Sequence, residues 1–169
     1  MTAVRPESSE PAAIDPDSFR AAMGQFVTGV TVATADGPDG PVGITVNSLT
    51  SVSLSPPLIL FCLDRGARTR PVFEAAPGFA VNMLTADQQS VSRRFARNPA
   101  DWDGLEVRTG TSGAPIIAGA LAAMDCLTEA IHDGGDHIIL VGRVVGVERA
   151  DGDPAPLVYH RGGYRRLAE

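Results

Sequence analysis

Apolar and polar residues alternate along the segment ITVNSLTSVSLSPP, residues 44–57, and this period of two predicts an extended strand. One row of alternate side chains is mostly apolar and begins with Ile44 and Val46. The other row is mostly hydroxyl and amide groups, has no charge, and consists of Thr45, Asn47, Leu49, Ser51, Ser53 and Ser55. Two interpretations stay open for this uncharged row: the outer face of a sheet, or a wall that binds polar groups of a ligand. Ser48 and Thr50 fall in the apolar row, which indicates a kink or bulge.

The same periodicities along the chain predict more strands than helices. Helices are predicted in IDPDSFRAAMGQF, where Asp15 fits the N-cap and Pro16 the first helical position, in ARTRPVFEAA, and in TADQQSVSRRFA with Thr85 or Asp87 as its cap. Strands are predicted on both sides of the turn-rich DGPDGP, in LILFCL, in GFAVNML and in four segments near the C-terminus. LILFCL is expected to be buried on both faces, and residues 97–114 are expected to form a long loop.

The predicted strands come in hairpins and runs rather than in strict alternation with helices. We therefore expect a mainly β fold of the α+β kind, an antiparallel barrel or sandwich with a few peripheral helices. The opening TAVRPESSEPAA is rich in Pro, Ser and Glu, so we expect residues 1–15 to form a disordered tail. The length of 169 residues then leaves residues 16–169 for a single domain.

Composition excludes several classes of function. The formal net charge of −6 argues against nucleic acid as a partner, and all 14 basic residues are arginine, which excludes a Walker-type phosphate loop and a lysine Schiff base. Cys62 and Cys126 lie far apart, which does not fit a disulfide framework or a zinc site. The first residues do not resemble a signal peptide and no apolar run of about 18 residues is present to span a membrane, so we expect a cytoplasmic protein.

Further segments contain side chains that suit nucleotide binding. CLDRGARTRP places Arg65, Arg68 and Arg70 around a glycine, which suits either a phosphate or a solvated loop. Asn82 stands in an otherwise apolar strand, as a structural partner or a ligand contact. HDGGDH offers no third strong metal ligand, so no metal is expected, and His137 fits a hydrogen-bond donor or proton carrier better. PLVYHRGGYRR offers aromatic rings and guanidinium groups to a nucleotide, or merely covers the core.

Taken in order, six segments resemble the short-chain flavin reductase family, whose members have an FMN-binding split-barrel fold. They cover roughly residues 17–167 and are FRAAMGQFVTGVTVAT, VGITVNSLTSVSLSPPLILFCL, FAVNMLTADQQSVSRRFA, GAPIIAGALAAMDC, HDGGDHIILVGRV and PLVYHRGGYRRL. The resemblance implies an antiparallel split β-barrel that reduces FMN, or FAD, with NADH, or NADPH. It also implies a homodimer with flavin near the interface, and a separate flavin-dependent oxygenase that receives the reduced flavin.

The resemblance also implies which residues bind the two nucleotides. The flavin ring and ribityl chain would be lined by Ile44, Thr45, Val46, Asn47, Ser48, Thr50 and Ser51. The flavin phosphate would be approached by Arg65, Gly66 and Ala67, with Asn82, Ser92 and Phe95 nearby. The nicotinamide nucleotide would face His137, Leu157, Val158, Tyr159, His160 and Tyr164. His137 is the catalytic candidate, and its loss is expected to weaken nicotinamide use more than flavin binding.

Other functions stay open from the sequence. A barrel of this kind could bind flavin as a redox-sensing module without reductase activity, or serve only as an interaction domain. Within the enzymes, a protein similar to pyridoxamine-phosphate oxidase is the alternative, although the absence of lysine makes it less attractive. The choice between FMN and FAD, and between NADH and NADPH, is not decided by these residues.

Overall fold

The computed structural model describes residues 13–167. The predicted tail therefore lies mostly outside the described residues, apart from residues 13–15. The predicted start of the first helix is confirmed, because the Asp15 side chain accepts a hydrogen bond of 2.8 Å from the backbone N–H of Ser18 and Pro16 is the first helical residue.

Strands dominate the described part of the chain. The helices are α1 (Pro16–Met23), α2 (Arg70–Ala75) and α3 (Gln89–Arg97), and a short 3-10 helix at Ala86–Gln88 leads into α3. The strands are β1 (Thr28–Gly29), β2 (Thr31–Gly37), β3 (Gly40–Val46), β4 (Thr50–Leu54), β5 (Pro57–Asp64), β6 (Gly78–Met83), β7 (Val107–Thr109), β8 (Pro115–Ile117), β9 (Ala122–Gly134), β10 (His137–Arg149), β11 (Val158–His160) and β12 (Gly163–Arg165). In the described part of the chain, no helix has the length and apolar character needed to cross a bilayer.

Seven antiparallel strands form the main sheet, in the order β3-β2-β6-β9-β10-β5-β4. Its two end strands, β3 and β4, are joined by residues 47–49 alone, so the sheet must curl until its ends meet. We call residues 47–49, where the two ends of the sheet meet, the seam. It is held by the Ser48 hydroxyl, which accepts a 2.9 Å hydrogen bond from the backbone N–H of Cys62 and lies 3.3 Å from the carbonyl oxygen of Cys62. The mainly β, antiparallel fold expected from the sequence is confirmed.

The barrel interior is filled by apolar side chains from the sheet and from α2. Phe61 packs edge-to-face against Phe73 and Phe79, with ring centroids 5.7 and 5.2 Å apart. On β5, the side chains facing this core alternate with partly exposed ones such as Cys62. The prediction that LILFCL is buried on both faces is therefore wrong, because a barrel wall has only one interior face.

Two small sheets lie beside the barrel. One has the order β1-β11-β12, and the other pairs β7 with β8. β7 lies within residues 97–114, which were predicted to form only loop. It pairs because the intervening turn is anchored: the backbone N–H of Ser112 lies 3.2 Å from a carboxylate oxygen of Asp125, and its hydroxyl also contacts this buried side chain.

Candidate functional site

Three adjoining cavities surround residues 47–49, where the barrel closes. The main cavity has a volume of about 670 Å³ and lies between α1, residues 47–50 and residues 159–162. The side cavity, of about 230 Å³, is lined by Thr45, Asn47, Ser92, Tyr159 and Tyr164, among others. The apolar cavity, of about 310 Å³, is lined by residues 26–31 together with Leu84 and Leu157, among others. Asn47 borders all three, so this amide is the common point of the site.

The predicted strand of residues 44–57 is interrupted at this point. β3 ends at Val46 and β4 begins at Thr50, and a register shift follows between Ser51 and Ser53. The kink or bulge that Ser48 and Thr50 indicated is confirmed. The interruption turns residues 47–50 toward the main cavity, which a continuous strand would not do.

The uncharged row is partly a cavity wall. Thr45 and Asn47 line the side cavity, and the Asn47 Nδ2 donates a 3.3 Å hydrogen bond to Thr28 Oγ1. Ser51 is exposed and lies outside the three cavities, whereas Ile44 from the opposite row packs against the barrel core. The neutral wall therefore extends over residues 45–50 and is narrower than the predicted flavin contact.

A chain of polar contacts joins β3 to α3 and β12. Thr45 Oγ1 donates a 2.6 Å hydrogen bond to the carbonyl oxygen of Ser92, and the Ser92 hydroxyl lies 2.8 Å from the Tyr164 hydroxyl. Tyr164 packs edge-to-face on Tyr159 with ring centroids 5.6 Å apart, and the guanidinium of Arg93 lies 5.6 Å from the Tyr164 ring centroid. These contacts fix the side cavity from three elements at once.

Asn82 and Phe95 lie inside the protein. The Asn82 amide nitrogen donates to the carbonyl oxygen of Val32 at 3.1 Å, and its oxygen accepts from the backbone N–H of Ile117 at 2.8 Å. Phe95 on α3 is buried against Gly43. A Cβ added at Gly43 would lie only 2.6 Å from the Phe95 ring, so no larger residue fits there without a shift. Asn82 thus links three strands and Phe95 docks α3 on the barrel, whereas their predicted contact with flavin stays a prediction.

The predicted phosphate loop at Arg65 is engaged with the β9–β10 turn. Arg65 Nε donates to the carbonyl oxygen of Gly135 at 2.8 Å, and its Nη2 lies 2.7 Å from Asp133 Oδ1. This hydrogen bond from Arg65 lowers the pKa of the Asp133 carboxyl below its ordinary value. Gly66 donates its backbone N–H to Asp64 Oδ1. Arg65 thus joins two loops, and neither it nor its neighbours Gly66 and Ala67 line the three cavities. Their approach to a flavin phosphate stays a prediction.

His137 begins β10 at the same turn. Its Nδ1 lies 2.7 Å from Asp136 Oδ1, and this hydrogen bond lowers the pKa of the Asp136 carboxyl. Arg20, which lines the main cavity, also contributes to that lowering through its charge. His137 pairs with Asp64, two residues beyond the Cys62 that contacts Ser48, so strand spacings place it roughly 10 Å from the seam.

The nicotinamide candidates near the C-terminus divide between the cavities. Tyr159 lines the main and side cavities, His160 the main cavity, and Leu157 the apolar cavity. Val158 is buried and lines none of them. The structure thus brings three of these residues, and Tyr164 as a fourth, to the cavities around the neutral wall of residues 45–50, and leaves Val158 in the core.

The sequence did not identify part of the main cavity. Phe19, Arg20 and Met23 of α1 line it, as do Phe26 and Arg161. The signal available in the sequence was the helical spacing of Phe19, Met23 and Phe26; such an apolar face usually packs against a core, yet no residue of α1 is buried. A ligand or a second chain can therefore cover this face.

The main cavity has the size and lining of a nucleotide site. Its volume lies within the range of small-molecule pockets, roughly 300 to 1,000 Å³, and its lining combines aromatic rings, neutral hydroxyl and amide groups and two arginines. Residues 13–167 hold no group of three His, Cys, Asp or Glu side chains placed to bind a metal ion. The cavity suits flat rings with attached phosphates, and its neutral wall can accept a ring whose charge changes.

Comparison with known proteins identifies relatives over nearly the whole chain. The model of the flavin reductase like domain matches residues 23–168. The FMN reductase (NADH) SmoA of Agrobacterium fabrum is 46% identical over 151 residues, which are 89% of this chain and 86% of that protein. The reductase subunit HsaB of a flavin-dependent monooxygenase from Mycobacterium tuberculosis is 43% identical over 155 residues, 90% of this chain and 83% of that protein.

Solved structures agree with these matches. The NADH:FAD oxidoreductase of Streptomyces globisporus has a TM-score of 0.86 at 40% identity, over 94% of this chain and 99% of that one. Its complex with NAD and FAD fragments has a TM-score of 0.85 at the same identity, over 94% of this chain and 98% of that one. The antiparallel split β-barrel implied by the resemblance is confirmed. This chain belongs to the family of the flavin reductase like domain.

Proposed function

We propose that this protein is an NADH-dependent flavin reductase, which moves a hydride from NADH to FMN or FAD. The observation that carries this function is the composition of the main cavity. It is bounded both by the predicted flavin wall, at Asn47, Ser48 and Thr50, and by the predicted nicotinamide residues Tyr159 and His160. The relatives named NADH-dependent FMN or FAD reductases support it.

The flavin, when bound, supplies the two-electron chemistry, and the protein binds and orients the flavin and NADH. Asn47 and the hydroxyls of residues 45–50 would hold the uncharged ring without a full charge beside it. The hydrogen bond between Ser92 and Tyr164 would fix the wall of the side cavity. Hydride transfer needs no protein acid or base, so distance and orientation are the contributions required of these residues.

A spectroscopic assay tests the activity. The purified protein is mixed with NADH and either FMN or FAD, and the loss of NADH absorbance is followed. We expect turnover that requires both nucleotides and intact protein. Flavin binding without NADH oxidation would instead identify a flavin-binding or redox-sensing module, and would contradict the proposed function.

His137 is proposed to contact the nicotinamide nucleotide. Its Nδ1 is occupied by Asp136, which leaves Nε2 available to a ligand. We expect His137→Ala to raise the KM for NADH by about tenfold, the value of one lost hydrogen bond to a charged group, with the KM for FMN unchanged. His132→Ala, at an exposed histidine on β9, is the matched control. Wild-type KM and kcat for NADH in His137→Ala would contradict the assignment.

The reduced flavin is proposed to leave for a separate flavin-dependent oxygenase, in the cytoplasm where NADH is the reductant. Relatives named as reductase components of a monooxygenase and of a tryptophan halogenase support this division of labour. After turnover, gel filtration is expected to separate flavin from protein. Flavin that stays with the protein through repeated turnover would contradict release to a partner.

We also propose that two copies form a homodimer. Large apolar side chains are solvent-exposed in the single chain, with exposed fractions of 94% at Leu54, 69% at Phe26 and 57% at Phe19. β4 is an end strand of the main sheet, and its residues TSVSL carry no charge, whereas strands that stay at a free edge usually carry charges that prevent pairing. A second copy that covers these side chains accounts for both observations.

A further inference from the structure

The turn between β11 and β12 holds an arginine where the backbone favours asparagine or glycine. Arg161 and Gly162 are its two central residues, since His160 pairs with Gly163, and both have positive φ, 49° and 72°. This combination is that of a type I′ turn, in which Asn-Gly is preferred. Arg161 is the sole non-glycine residue with positive φ within residues 13–167. A non-glycine residue in a conformation that its backbone disfavours is a reason to look for a function of its side chain.

The Arg161 side chain is held in place by the segment that follows α1. Its Nε donates a 2.8 Å hydrogen bond to Gln25 Oε1, and its backbone N–H donates to the carbonyl oxygen of Gly24 at 2.9 Å. Neither Nη nitrogen forms a hydrogen bond or ion pair within the described part of the chain. The hydrogen bond to Gln25 therefore fixes one edge of the guanidinium, and the two Nη nitrogens are free to bind a ligand.

These donors belong to a cavity that favours anions. Arg161 lines the main cavity beside the nicotinamide candidates Tyr159 and His160. Arg20 also lines it, but its Nη1 lies 3.0 Å from Asp17 Oδ1, so Arg161 is the lining arginine without an ion pair in residues 13–167. No Asp or Glu side chain lines the cavity, although the whole protein has a net charge of −6. Local positive charge in an acidic protein attracts an anionic ligand to this one place.

We propose that Arg161 binds the pyrophosphate of the reduced nicotinamide dinucleotide. The inference rests on the proposed function, because it names the part of NADH that the main cavity recognises. A guanidinium can bind phosphate oxygens with two parallel hydrogen bonds, and the Gln25 contact leaves the Nη donors for this purpose. The nicotinamide nucleotide is favoured over the flavin phosphate because Arg161 directly follows the nicotinamide candidates Tyr159 and His160, whereas the predicted flavin-phosphate residues 65–67 do not line this cavity.

The variant Arg161→Asn separates binding from folding, because Asn-Gly is the preferred type I′ pair and the turn is expected to be kept. With FMN saturating, we expect the KM for NADH to rise about tenfold, as for the loss of one charge-assisted contact. We expect kcat within about twofold of wild type and an unchanged KM for FMN. The free energy of unfolding should stay equal or increase, and kcat/KM for NADH should depend less on salt.

Arg149→Asn, at an exposed arginine outside the main cavity, controls for the loss of one charge. Arg161→Gly, also compatible with positive φ, should repeat the result if Arg161→Asn expresses poorly. A wild-type KM for NADH in both Arg161 variants would overturn the proposal, as would a rise in the KM for FMN instead. A rise in KM for NADPH alone, with the KM for NADH unchanged, would assign Arg161 to a ribose phosphate and would also overturn the proposal.

Failure of the proposed function is distinguishable from failure of this inference. If the wild-type protein does not oxidise NADH with either flavin, the reductase function fails. NADH affinity, measured by titrating the fluorescence of NADH against wild type and Arg161→Asn, then decides the inference alone. Weaker NADH binding by the variant supports it, and equal or undetectable binding by both proteins overturns it.

Discussion

Single residues at this site are constrained by what packs behind them. Gly43 on β3 and Phe95 on α3 meet so closely that a Cβ on residue 43 would lie 2.6 Å from the Phe95 ring. Phe95 in turn stacks at a tilt on Trp102, with ring centroids 4.7 Å apart, so the ring has little freedom to move. The glycine therefore determines how α3 docks, and with it the position of Ser92.

We accordingly expect Gly43→Ala to lower the free energy of unfolding by about 1–3 kcal/mol, the usual cost of overpacking a core. Flavin affinity should fall as well, since α3 carries one wall of the side cavity. Urea unfolding and flavin titration measure the two effects. Gly29→Ala is the matched control, because an added Cβ there meets nothing within 4 Å, and stability should be unchanged or higher. Equal stability of the two variants would contradict this packing argument.

At the scale of elements, the sequence predicted what depends on neighbours in the chain. The capped start of α1 and the hairpin of β2 and β3 follow from local residue types and were confirmed. Arg65 and Asn82 were not predictable in the same way, because their partners are distant: Arg65 binds Asp133, 68 residues later, and Asn82 binds Ile117, 35 residues later. The sequence alone does not show whether a buried polar side chain forms its hydrogen bonds with a ligand or with another strand.

The pair of loops joined by Arg65 and Asp133 should have a pH-dependent stability. The pKa of Asp133 is lower in the folded protein than in the unfolded chain, so the ionised carboxyl stabilises the fold above its unfolded pKa. That contribution is lost as pH falls through the folded pKa. Asp133→Asn should therefore be less stable than wild type near neutral pH, and the two should converge in acid.

Chemical unfolding of both proteins, from neutral pH down to about pH 2, follows this difference through the acidic window. Asp153→Asn, at an exposed carboxyl outside this hydrogen-bonded pair, is the control and should show no such convergence. A difference between wild type and Asp133→Asn that is constant across the whole pH range would contradict the role of the ion pair.

For the whole molecule, the proposed homodimer makes a distinct prediction. We expect wild-type protein to sediment at twice the monomer mass, and Val52→Glu combined with Leu54→Glu to shift it toward the monomer, because charges on an edge strand oppose pairing. Val107→Glu combined with Thr109→Glu places the same two charges on β7, which is also short and exposed, and should leave the dimer intact. A wild-type monomer at micromolar concentration would contradict the proposal.

Closing the barrel through residues 47–49 also limits how the family can diversify. Three extended residues span at most about 11 Å, and both ends of this link belong to strands of one sheet. A residue inserted in this link would relax the seam and turn Asn47 away from all three cavities. The surface turn at residues 38–39 does not position any residue of the site, so an insertion there would leave the cavities unchanged. Alignments of relatives should therefore show insertions and deletions at that turn and in residues 97–106, while the spacing between Val46 and Thr50 stays fixed.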